Sequence, residues 1–157
     1  ALQARGAHLR TQFGDDLGER MEVAVADAMD RYQKVLLVGS DSEGFTDSYL
    51  SAGFAALDTH DLVFGPARDG GYLLVGTRGC TGSIFHDVDW GSDRVMAQTR
   101  ERCRDSGLRW SELEPLHDID RPQDLVLLDA EALKSAGVLK ISLGEGKPPA
   151  HPGMGSQ

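Results

Sequence analysis

Two hydrophobic periods alternate along this chain. Short apolar runs, Val35-Leu36-Leu37-Val38, Leu62-Val63-Phe64 and Tyr72-Leu73-Leu74-Val75, read as strands buried on both faces. Between them apolar residues recur every three or four positions, the spacing of an amphipathic helix. Leu17, Met21, Ala24, Ala28 and Tyr32 predict a helix over 16–32, with Asp15 or Asp16 as its N-cap. A strand over 34–39 follows. Thr46 caps a second helix with Leu50, Gly53, Phe54 and Leu57 inward. Strands over 61–66 and 72–76 flank a loop at 67–71, where paired glycines mark a tight turn. Residues 77–91 read as irregular. Ser92 caps a helix over 93–106 that buries Val95, Met96, Thr99 and Cys103, and Gly107 suits its C-terminal end. A weaker strand is expected over 110–116. Pro122 and Asp124 open a last helix with Leu125, Leu128 and Ala132 inward, and Lys134 and Gly137 mark its end. From Gly144 the chain is too rich in Gly and Pro to bury a core. The pattern predicts a single three-layer α/β domain over 1–143 and a disordered tail over 144–157.

Composition narrows the function classes. The chain has 157 residues, 40% hydrophobic and 26% charged, enough for one domain with a proper core. Net charge is −9, with 25 acidic against 16 basic residues, which argues against a general nucleic-acid binder. Phosphorylated small molecules stay open if magnesium or manganese bridges them to protein carboxylates. No apolar run is long enough for a membrane span, and the start carries no signal-peptide core. Cys80 and Cys103 form no disulfide framework or metal-ligand spacing and are read as structural. That favours a reducing, cytoplasmic compartment.

Carboxylates collect where strands end. Asp41 follows Gly39-Ser40 just past the first strand, on the side where open α/β sheets bind ligands. Asp69-Gly70-Gly71 precedes a later strand, and Asp118-Ile119-Asp120 follows another. If these loops share one edge, a hard divalent cation relieves their repulsion. The competing reading is that each Asp caps a turn, and one of Asp118 and Asp120 caps the last helix. Gly70 and Gly71 either let a ligand approach the backbone or shape a hairpin. Trp90 either stacks on a base or sugar ring or belongs to the core. His86 is a weaker candidate for a general base. Arg20 either meets a phosphate at a helix N-terminus or is a solvated helix arginine. No nucleophile elbow, P-loop or zinc pattern is present.

Five segments together resemble a known family. They are Gln12-Phe13-Gly14-Asp15-Asp16-Leu17-Gly18-Glu19-Arg20-Met21; Val38-Gly39-Ser40-Asp41; Phe64 through Gly76, containing Asp69-Gly70-Gly71-Tyr72; Ile84-Phe85-His86-Asp87-Val88-Asp89-Trp90; and Asp118-Ile119-Asp120-Arg121-Pro122-Gln123-Asp124-Leu125. In this order, over about residues 10–130, they are similar to the glycosyltransferase-like proteins of the nucleotide-diphospho-sugar transferase superfamily associated with arsenosugar biosynthesis. The resemblance implies a Rossmann-like α/β/α GT-A fold with a mixed sheet. It also implies a divalent metal on Asp41, with Asp118 and Asp120 as further ligands, and a nucleotide sugar or nucleotide as substrate. The Asp69-Gly70-Gly71 loop would face the sugar or acceptor, and the residue reading adds Arg20, Gly39 and Trp90 as candidate substrate-binding residues beside it.

This chain has Ser42-Glu43 where the family has Cys-Pro, and no segment matches the family's first strand and its basic nucleotide-cradling loop. The expectation is a metal-dependent transferase whose first strand is missing. The alternatives are a nucleotidyltransferase on the same fold and a truncated, non-catalytic remnant. In the last case the sheet edges left exposed would favour pairing with a second copy or a partner.

Overall fold

Val35, Leu36, Leu37 and Val38 are 0–6% exposed, so the strand they form needs cover on both faces and a neighbour on both sides. The computed structural model describes residues 10–39, 45–79 and 81–116, and the backbone of 136–141. Among these residues it contains three helices, α1 (Leu17–Met29), α2 (Asp47–Ala56) and α3 (Val95–Asp105). The strands are β1 (Lys34–Gly39), β2 (Leu62–Pro66), β3 (Tyr72–Thr77), β4 (Trp110–Glu112) and β5 (Ala136–Ile141). They form one sheet in the order β4-β2-β3-β1-β5. β3 runs antiparallel to both β1 and β2, whereas β5 is parallel to β1 and β4 is parallel to β2. The sheet is therefore mixed, with β3 as its reversed strand.

Alternate residues of each strand serve opposite layers, as the twofold period of a strand requires. Leu37, Leu62, Phe64 and Val75 pack with Met21 and Val25 of α1 and Met96 and Cys103 of α3. Leu36, Val38, Val63 and Leu74 pack with Leu50 and Leu57 on the α2 side. Two helices cover one face and one covers the other, which is the expected three-layer α/β/α arrangement. Asp16 caps α1 by accepting from the Glu19 N–H at 2.8 Å, and Thr46 caps α2 by accepting from the Tyr49 N–H at 3.2 Å. Gly107 and Leu108 donate to the carbonyls of Arg104 and Cys103, closing α3 with the paired bonds of a Schellman motif.

Three expectations are corrected. Ser92 does not cap α3: the N-cap is Arg94, without a side-chain bond, and Ser92 Oγ accepts from the Arg94 N–H instead. The Met96 N–H at the helix start is satisfied from a distance, by the Gly70 carbonyl at 2.8 Å. Gly137 does not end a helix but lies in β5, opposite Val35. The strand expected over 110–116 is confined to Trp110–Glu112, and the Leu113 N–H to Phe64 carbonyl bond is the last of its ladder to β2. The helix expected after Pro122 and the tail over 144–157 lie outside the described residues. Among the described residues no helix is long and apolar enough to cross a membrane.

Candidate functional site

Strand direction decides which loops can share a site. β1, β2, β4 and β5 point one way and β3 the other. The end of β1 at Gly39, the β2–β3 turn at 67–71 and the chain leaving β4 at Leu113 therefore all fall at one edge of the sheet. α2 begins at this edge. α1 does too, since it ends at Met29, just before β1 starts at the other edge. This is the edge at which α/β sheets bind ligands.

The turn between β2 and β3 is built from its own backbone. The Ala67 N–H donates to the Gly71 carbonyl at 3.0 Å, and the Gly70 N–H donates to the Ala67 carbonyl at 3.4 Å. Gly70 has φ +89°, and a Cβ there would lie 2.0 Å from the Asp93 carbonyl oxygen. A side chain at position 70 would push the turn off the start of α3. Asp69 Oδ1 accepts from the Gly71 N–H at 3.0 Å, while its side chain stays exposed at the edge. Asp69 thus shapes the turn, and its carboxylate also remains open to solvent. Gly71 carries a Cβ space bounded only by Asp69 Oδ1, 3.3 Å away.

The other candidate residues sit around this edge in different environments. Gly39 is the buried last residue of β1. Arg20 lies in the first turn of α1, where its Nε donates to the Gly14 carbonyl at 3.2 Å. Trp90 is half-buried and meets Tyr72 edge-on, with ring centroids 6.3 Å apart. Tyr72 in turn packs on Phe64, and its hydroxyl is sealed from solvent without a hydrogen-bond partner of good geometry. Burial drives the Tyr72 pKa upward, so this phenol stays neutral. Asp41, Asp118 and Asp120 lie outside the described residues.

His86 is held rather than free. Its Nε2 is 2.8 Å from Glu22 Oε2 on α1, and the hydrogen bond and charge of Glu22 raise its pKa. A histidine biased toward its protonated form is poorly suited to act as a base near neutral pH. Arg102 donates to the carbonyls of His86 and Asp87 at 2.8 and 2.9 Å, and Asp89 pairs with Arg94 and Gln98. Residues 86–89 are thereby clamped between α1 and α3. Asp87, at φ 52°, turns the chain in the middle of that clamp.

If Asp41, Asp118 and Asp120 held a metal, their oxygen-only donors would suit magnesium or manganese. Among the described residues, no three His, Cys, Asp or Glu side chains come together in a metal-binding group. A cleft of about 540 Å³ lies at the opposite edge, between residues 29–34, Leu57, Asp58 and Arg78. Two of its three cations are engaged, since Lys34 bonds Asp58 and Arg78 bonds the Asp58 carbonyl and the Asp61 carboxylate, while Arg31 also lines it. Topology favours the Asp69 edge over this cleft.

Two residues that the sequence pattern did not single out also reach the Asp69 edge. The Tyr49 hydroxyl, in the first turn of α2, donates to the Glu114 carbonyl at 3.0 Å. The two residues are 65 positions apart, so no local motif announces the contact.

The family model of an uncharacterized protein conserved in bacteria, DUF2064, matches residues 1–92. The crystal structure of a "putative nucleotide-diphospho-sugar transferase" from Desulfovibrio desulfuricans G20 is 36% identical to this chain, with a TM-score of 0.63. The match covers 73% of this chain and 51% of that one, so the chain spans about half the length of that structure. No curated protein matches the chain.

Proposed function

The chain belongs to the DUF2064 family, and on that premise we propose that it is a metal-dependent transferase acting on a nucleotide-activated sugar. Its fold is GT-A-like, shared with the "putative nucleotide-diphospho-sugar transferase" structure. The observation that carries the reading is the sheet's strand order. It brings Gly39, the Asp69 turn and the chain leaving β4 to one edge.

In this reading Asp41, Asp118 and Asp120 hold magnesium or manganese. When bound, the metal supplies charge to neutralise the diphosphate leaving group. Asp69 orients or deprotonates the acceptor hydroxyl from its exposed carboxylate. Gly70 and Gly71 keep the turn narrow beside it, and Gly39, Arg20 and Trp90 border the substrate. The motif likeness to arsenosugar-associated members refines the subfamily without naming a sugar. Product analysis separates glycosyl from nucleotidyl transfer.

Calorimetric titration of nucleoside diphosphates and nucleotide sugars, with and without manganese, tests the reading on this chain and on Asp41→Ala. Manganese-dependent binding that disappears in Asp41→Ala is the expected result. Folded protein that binds nothing at millimolar ligand overturns the reading of this chain as a transferase in its own right.

A further inference from the structure

The two glycines of the 67–71 turn are glycine for different reasons. Gly70 has φ +89°, and a Cβ there would lie 2.0 Å from the Asp93 carbonyl oxygen, so the fold itself excludes a side chain. Gly71 lies outside the left-handed region, and a Cβ there would meet only Asp69 Oδ1, at 3.3 Å. Other described glycines of ordinary φ are mostly explained by packing: at Gly18, Gly53, Gly65 and Gly76 the nearest atom to a Cβ would be 2.3 to 3.2 Å away. Gly79 is unhindered like Gly71, but it follows β3 at the opposite edge of the sheet. The bare position at 71 therefore adjoins the exposed Asp69 carboxylate and no packed group. The turn cannot swing that position away. The Gly71 carbonyl accepts from the Ala67 N–H at 3.0 Å, its N–H donates to Asp69 Oδ1 at 3.0 Å, and the Gly70 carbonyl accepts from the Met96 N–H at 2.8 Å. The next residue, Tyr72, opens β3 with its ring packed on Phe64. A side chain added at 71 would grow into the space beside the turn's exposed carboxylate.

We propose that Gly71 selects the acceptor by size: its missing side chain leaves the space beside Asp69 into which a hydroxylated ring, such as a second sugar, fits. This inference rests on the transferase reading given above and deepens it. In transfer the acceptor oxygen bonds the anomeric carbon of the donor sugar and the bond from that carbon to the diphosphate breaks. The acceptor proton passes to the Asp69 carboxylate, and the nucleoside diphosphate leaves. Water follows the same course as the smallest acceptor and needs no space at position 71. A side chain there narrows the approach for a ring while leaving it open to water, which is discrimination by a steric clash.

Gly71→Ala and Gly71→Val test the proposal, with the nucleotide sugar that binds most tightly in the titration above as donor and glucose or water as acceptor. The quantity compared is the rate of transfer to glucose divided by the rate of hydrolysis. This ratio should fall about tenfold in Gly71→Val and by less in Gly71→Ala, through a higher KM for glucose. Gly71→Ala should also melt close to the unaltered chain, because its Cβ displaces nothing packed. An unchanged ratio overturns size selection, including the case in which both rates fall together because Asp69 has been shifted. Hydrolysis by the unaltered chain without transfer to glucose also overturns it, since the space at 71 then admits no sugar ring. A large drop in the melting temperature of Gly71→Ala overturns the premise that the fold leaves this position free. If the unaltered chain turns over no donor with either acceptor, the transferase reading fails and size selection fails with it, while the melting curves still report whether the fold needs glycine at 71.

Discussion

Asp69 carries two demands on one side chain. Its Oδ1 holds the Gly71 N–H, and its exposed carboxylate stands at the candidate edge. Two substitutions separate these demands. Asp69→Asn keeps an acceptor at Oδ1, so stability should change by less than about 0.5 kcal/mol. Asp69→Ala removes the turn's side-chain bond and should cost about 1 kcal/mol in chemical denaturation. If Asp69 also serves the acceptor, both variants should lose transferase activity by about a hundredfold or more. An active Asp69→Asn would confine this residue to shaping the turn. Trp90, half-buried, also carries two demands, one toward the core and one toward the proposed substrate. A lone tryptophan beside acidic residues is an open reading in the sequence, whereas its edge-on contact with Tyr72 places it against the core.

Elements with a strong local signature were legible in the sequence, and those fixed by distant partners were not. β1 is a continuous apolar run, and α2 has a Thr cap with apolar residues at helical spacing, so both were placed correctly. The start of α3 was misread because its Met96 N–H is satisfied by Gly70, 26 positions earlier, rather than by a local cap. β5 was missed because Gly137 reads as a helix end, while its partner strand lies about a hundred residues away. The shared edge was conditional in the sequence, since only the reversal of β3 brings the 67–71 turn beside the end of β1.

A long-range contact of this kind also gives α1 a pH dependence. His86 and Glu22 join α1 to residues 86–89, and the pairing raises the His86 pKa above its ordinary 6.5. The stability the pair contributes is fully present below about pH 6.5 and is lost as pH rises through the higher folded-state value. Melting temperatures between pH 5.5 and 8.5 should therefore fall more in the unaltered chain than in Glu22→Gln. Parallel curves, or a His86 proton titration unmoved by Glu22→Gln, would show that the pair carries no such linkage.

At the scale of the whole molecule, the sheet depends on its last strand. β1 is buried on both faces and pairs on one side with β3 and on the other with β5. Without β5, the other edge of β1 would present unpaired N–H and C=O groups from an apolar strand, a template for pairing with other chains. In a parallel pair, adjacent residues point their N–H groups to opposite sides, so one of Val138 and Leu139 donates toward β1. Replacing each in turn by proline should identify that residue. One variant should lose a ladder hydrogen bond, at a cost of about 1–3 kcal/mol, and sediment partly as oligomers, and the other should be affected less. The two outcomes have different consequences for the site. A large loss would mean that the end of β1 at Gly39, which borders the candidate site, is held by a paired strand on both sides. If both variants melt and sediment like the unaltered chain, β5 contributes nothing to the folded sheet. The edge of β1 must then be protected in another way, and the candidate site must be sought on the β1, β2 and β3 end of the molecule alone.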